Sequence, residues 1–157
     1  MTDVRTTARQ TVVVTSMASD SHTWNLVFLQ LLLEELGYDV VNLGPCVPDD
    51  LLVSRCAAAR PAFVVVSSVN GHGHQDGLRL IGTFRSHPDL ATIPVVIGGK
   101  LGVAGQDSAR AWELRSAGFD EVFEEDTDPA TALAAFAASL PRAVAPDRRP
   151  ATLPAAR

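Results

Sequence analysis

An Asp and a His stand two positions apart in Ser19-Asp20-Ser21-His22-Thr23-Trp24, directly after the apolar run Val12-Val13-Val14. A ligating imidazole commonly gives its second ring N–H to a carboxylate, which fixes the tautomer and makes the metal-facing nitrogen the better donor. Asp20 is spaced to do this for His22. The same pair also suits a solvated contact or a helix N-cap, so these two residues alone leave the choice open.

Three further groups carry chemistry. Ser67 and Ser68 offer hydroxyls that can bond a ring nitrogen or a ribose, or simply cap nearby backbone N–H groups. Gly98-Gly99 lets a backbone approach a bulky ligand, or makes a tight turn. His72 and His74 flank Gly73 with no other ligand nearby, the pattern of an exposed mobile loop rather than a metal site. Lys100 could meet a phosphate or a partner carboxylate but reads first as a solvated cation, and Trp24 could wall a site but reads first as packing for the start of a helix.

The elements that must hold these groups alternate strictly. Strands are predicted over Thr11–Ser16, Asp39–Leu43, Ala62–Val66, Ile93–Ile97 and Asp120–Phe123. Helices are predicted over Trp24–Leu36, Pro48–Ala59, Asp76–Ser86, Gln106–Ala117 and Pro129–Leu140, with Gly37, Arg60-Pro61, His87-Pro88 and Gly118 as stops. Five βα units with short connections imply an α/β fold: a flavodoxin-like, doubly wound five-stranded parallel sheet in the order 2-1-3-4-5. That order gathers the segments after strands one, three and four on one edge. Residues 1–10 read as a polar lead, 11–140 as one domain, and the Pro-rich 141–157 as a disordered tail.

Composition narrows the partners. A net charge of −5 with no basic stripe argues against nucleic acid. No apolar window is long enough for a membrane span or signal peptide, and Cys46 and Cys56 lack metal or disulfide spacing, so a reducing cytoplasm is expected.

Asp20-Ser21-His22, Ser67-Ser68-Val69 and Gly98-Gly99, each at the end of a predicted strand, resemble the DxHxxG…SxL…GG signature of cobalamin-binding domains. Val40-Val41-Asn42-Leu43-Gly44, Val66-Ser67-Ser68-Val69-Asn70-Gly71 and Ala117-Gly118-Phe119-Asp120-Glu121-Val122-Phe123 are further similar to the small subunits of glutamate mutase, also called methylaspartate mutase. The signature's closing Gly is Asn25 here and its Leu is Val69, and Asn25 puts a side chain near the slot for the cofactor's nucleotide tail.

This resemblance implies adenosylcobalamin bound base-off, with His22 replacing dimethylbenzimidazole as the lower cobalt ligand and Asp20 holding its far nitrogen. The displaced tail is expected in a slot lined by Ser67, Val69, Gly98 and Gly99, and Ser19, Ser21, Thr23, Ser68, Lys100, Leu101, Gly102 and Val103 complete the expected cofactor-binding set. It further implies radical interconversion of L-glutamate and 3-methylaspartate, with the amino acid held by a separate barrel-shaped large subunit and no catalytic acid or base on this chain. The alternative is a corrinoid carrier for methyl transfer. Carriers of that kind resemble this domain preceded by a helical bundle, for which a strand beginning at Thr11 leaves no room. A phosphorylation receiver is disfavoured because Ser67 and Glu124 stand where it needs Asp and Lys. A flavodoxin is disfavoured because the first loop has hydroxyls but no Gly.

Overall fold

Valine-rich runs without a polar face form the centre of a sheet buried on both sides. The computed structural model describes residues 8–104 and 107–141. Five strands, β1 (Thr11–Ser16), β2 (Asp39–Asn42), β3 (Phe63–Ser68), β4 (Val95–Gly99) and β5 (Glu121–Glu124), pair in parallel in the order β2-β1-β3-β4-β5. They alternate with α1 (Trp24–Glu35), α2 (Asp49–Ala59), α3 (Gly73–Ser86), α4 (Ser108–Ala117) and α5 (Pro129–Ser139), plus a 3₁₀ turn at Pro88–Leu90. This is the flavodoxin-like arrangement expected from the alternation.

Helices α2, α3 and α4 cover one face of the sheet around Leu52, Leu80, Phe84 and Leu114. The other face carries α1 and α5, through Leu26, Leu29, Leu33, Leu133 and Phe136. Register then aligns the carboxyl ends: Ser16 pairs with Ser67, Ser67 with Gly98, and Gly99 with Glu124.

Several local expectations are corrected. Helix α3 begins at Gly73 rather than Asp76, so His74 is helical, and its ring meets a Glu113 carboxylate at 2.7 Å instead of lying in a free loop. The early start has a packing cause, since a Cβ on Gly73 would come within 2.5 Å of the Ser68 hydroxyl. Strand β4 begins after Pro94, which has no N–H for the ladder, and it takes in Gly98 and Gly99. Trp24 does not pack the helix start: it is 84% exposed. The helix expected from Gln106 is described only from Ser108, and most of the polar lead and all of the tail beyond Pro141 lie outside the described residues.

Candidate corrinoid-binding site

The turn that leaves β1 is closed by Asp20 N–H bonding to Met17 O, which drives the Asp20 side chain inward until it is fully buried. A buried carboxylate needs donors. Asp20 Oδ2 accepts from Val69 N–H at 2.7 Å and Asn70 N–H at 3.2 Å, while Oδ1 accepts from His22 N–H at 3.1 Å and faces His22 Nδ1 at 2.7 Å. Burial alone would raise this carboxyl. The hydrogen bonds from Val69, from the His22 ring and backbone, and from Asn70 outweigh it and hold the group below the usual carboxylate range.

The consequence reaches the imidazole. With Nδ1 committed to an ionised carboxylate it carries the proton, so Nε2 is the free lone pair. The His22 side chain is 53% exposed, and among the described residues nothing bonds to Nε2. A rigid carboxylate thus presents one metal-seeking nitrogen to solvent at the carboxyl edge of the sheet.

Next to it a cleft of ≈ 210 Å³ runs between α1 and α5. Its walls are mostly apolar, including Phe28, Leu29, Val65, Val96, Phe123 and Leu133, and Asn25, Ser67, Ser68, Val69, Gly98 and Gly99 line it as well. Asn25 Nδ2 donates to Ser67 Oγ at 2.6 Å, whereas Ser68 Oγ donates to Lys100 O at 2.6 Å and so braces the end of β4. Gly98 keeps the cleft clear on the Phe123 side, where a Cβ would sit 3.2 Å from the Phe123 carbonyl. Gly99 has a different reason: its φ of +101° and its approach to the Ser68 carbonyl exclude any Cβ.

The remaining expected residues are placed as follows. Ser19 Oγ donates to Asp76 and, with its own carbonyl, accepts from Asn70 Nδ2 at 3.0 Å, so it fastens the first loop. Ser21 and Thr23 are exposed around His22, and the Thr23 carbonyl accepts the first helical bonds of α1. Lys100, Leu101, Gly102 and Val103 lie outside the cleft: Lys100 is exposed, Leu101 is core, and Val103 is 81% exposed. Sequence reasoning missed Asn70 and Cys46, whose backbone N–H donates to Asp20 O at 2.8 Å, and the cleft walls Phe28, Phe123 and Leu133. A second, open groove of ≈ 620 Å³ beyond Ser19 is bordered by Asp49, Asp76 and Arg79, whose charges pair with one another.

Among the described residues no group of three or more His, Cys, Asp or Glu could cage a metal ion. The donor set is a single ordered imidazole beside a mostly apolar cleft that Asn25, Ser67, Ser68, Thr127, Glu124 and Glu125 also line. That suits a ligand which brings its metal with equatorial donors already attached and an aromatic appendage to bury. Asp20, His22, Ser67, Val69, Gly98 and Gly99, at the carboxyl edge of a flavodoxin-like sheet, are the residues that carry the resemblance to cobalamin-binding domains.

Comparison with known proteins agrees. A family model described as "B12 binding domain" matches residues 10–134. Glutamate mutase sigma subunit 1 of Haloarcula marismortui is 33% identical over 127 residues, covering 79% of this chain and 82% of the relative. The chain belongs to the B12 binding domain family and, within it, to the glutamate mutase sigma subunits. Among solved structures, a cobalamin-binding protein from Desulfitobacterium hafniense superposes with a TM-score of 0.67 at 19% identity, over 83% of this chain and 58% of that one. A chemotaxis response regulator of Vibrio cholerae superposes at 0.63 with 14% identity, a likeness of fold alone.

Proposed function

We propose that this chain is the cobalamin-carrying small subunit of an adenosylcobalamin-dependent glutamate mutase, an isomerase that interconverts L-glutamate and 3-methylaspartate and is inactive without a separate large catalytic subunit. The observation that carries the reading is the 2.7 Å contact between His22 Nδ1 and the buried Asp20 carboxylate, which leaves Nε2 as a directed ligand. When bound, adenosylcobalamin supplies the radical chemistry. The protein residues do the positioning.

In this role His22 would hold the cobalt of the cofactor in place of the cofactor's own base. Asp20 stays ionised and fixes the ring, and Val69 and Asn70 in turn fix Asp20 through their N–H groups. Ser67, whose Oγ accepts from Asn25, would donate its hydroxyl proton to the nucleotide tail, and the cleft walls would exclude water from it. Ser19 fastens the His22 loop, and Ser21, Thr23 and the segment Lys100–Val103 would complete the cofactor-binding set. A barrel-type partner holds the amino acid and closes the opposite side of the cofactor, in the cytoplasm. Among the described residues no helix is long and apolar enough to cross a membrane.

Reconstitution tests this directly. The chain, a glutamate mutase large subunit, adenosylcobalamin and L-glutamate together should form 3-methylaspartate, and omitting any one should abolish product. A large subunit that is active with its own small subunit but not with this chain would overturn the assignment.

A further inference from the structure

The cleft contains one polar side chain whose bonding is incomplete. Asn25 lies in the first turn of α1 and lines the cleft with its amide nitrogen 2.6 Å from Ser67 Oγ. Its Oδ1 is buried and has no hydrogen-bond partner. The helix does not need this amide, because Asn is a mediocre helix former and the α1 start shows no side-chain capping bond.

We propose that Asn25 is a selectivity residue for the nucleotide tail: it stands across the cleft at Ser67 and must rotate out before a tail can occupy that hydroxyl. The proposal rests on the cobalamin reading of the cleft. The side chain is held inward by a single hydrogen bond, and that bond is opposed by the desolvation of the orphaned carbonyl oxygen, which gains nothing in return. Asn25 itself is only half-buried, and its neighbours Trp24 and Phe28 are 84% and 51% exposed, so an amide turned away from Ser67 would meet water. The inward arrangement is therefore favoured by no more than about the worth of one net hydrogen bond.

The same geometry sets what is discriminated. A corrinoid that enters the cleft with a tail must break the Asn25–Ser67 bond, whereas a corrinoid without a tail meets only His22 and leaves Asn25 in place. Asn25 thereby weakens and slows binding of tailed corrinoids relative to tail-less ones.

The test uses the full chain, alone and with a large subunit, and follows absorbance on mixing with cobalamin or with cobinamide, which has no nucleotide tail. Asn25→Ala keeps the helix and removes the amide. It should raise cobalamin affinity about three- to tenfold, the worth of one net hydrogen bond, and speed its binding. Cobinamide binding should not change, and an unaltered melting profile would confirm that the fold is intact. Equal changes for both corrinoids would overturn the inference. So would weaker cobalamin binding by Asn25→Ala, which would make the amide a contact to the tail instead of an obstacle. Wild-type protein that binds neither corrinoid would remove the cobalamin reading and this inference with it, whereas binding without discrimination would remove only the inference.

Discussion

The two faces of the sheet are built differently. Beneath α2, α3 and α4 the side chains of Leu52, Leu80, Ile81, Phe84 and Leu114 are at most 2% exposed. Gly77 lets α3 lie so close that a Cβ there would be 3.0 Å from Ile97. Beneath α1 and α5 the cover is thinner: Leu29 and Phe136 are each 9% exposed, and the cleft passes between the helices. Helix α1 also turns Trp24, Val27, Phe28 and Leu31 outward at the spacing of a helical stripe. Outward apolar residues occur on both sides, with Leu51 on α2 and Trp112 on α4, but only on the α1 and α5 side do they stand beside a cleft.

This contrast is sharpest in stability. Phe84→Ala, in the closed face, should cost about 3–5 kcal/mol in denaturant unfolding, since it opens a cavity that dense packing cannot collapse. Leu133→Ala, at a residue that lines the cleft, borders space that is already present and should cost about 2 kcal/mol. Equal losses would mean that the cleft face is packed as tightly in solution as its opposite.

A smaller contrast lies within α1 itself. Leu33→Ala, on the inward stripe, should cost about 3 kcal/mol, whereas Trp24→Ser should stay within about 0.5 kcal/mol of wild type. A destabilised Trp24→Ser protein would show that the indole has a folding role on this chain.

The smallest effect concerns the entry to α5. Asp128 accepts from Thr131 Oγ1 at 2.5 Å and Thr131 N–H at 3.1 Å, and these two bonds lower its carboxyl below the ordinary value. Because the folded value lies below the unfolded one, the stabilisation is complete above the unfolded value and is lost as pH falls through the folded one. Hydrogen exchange at the Thr131 amide should accelerate relative to mid-helix amides as pH falls below the ordinary carboxylate range, and Asp128→Ala should remove that pH dependence.

Much of the architecture was legible because the signals were redundant. Val12–Val14 and Phe63–Val66 are apolar on both faces, as only central parallel strands require, and every helix stop was a Gly, Pro or αL residue. Asp20 and His22 were legible as a pair because the imidazole and its carboxylate partner stand two residues apart. Asn70 was not, because its N–H and side chain reach the first loop across a sequence separation that only β1–β3 pairing closes. Phe123 and Leu133 carry no local mark of a cleft, since identical residues in α3 are simply core. Trp24 misled for the opposite reason: a large aromatic at a helix start usually packs, and here it remains outside.

The central claim is that His22, ordered by Asp20, takes the lower position on cobalt. Electron paramagnetic resonance of the protein with cob(II)alamin tests it most directly, comparing natural protein with protein carrying nitrogen-15 histidine. The account predicts that the nitrogen splitting changes from triplet to doublet on labelling and that His22→Ala abolishes the change. A splitting that stays triplet with bound cobalamin would show the cofactor's own base still on the metal, and would contradict the role given to His22.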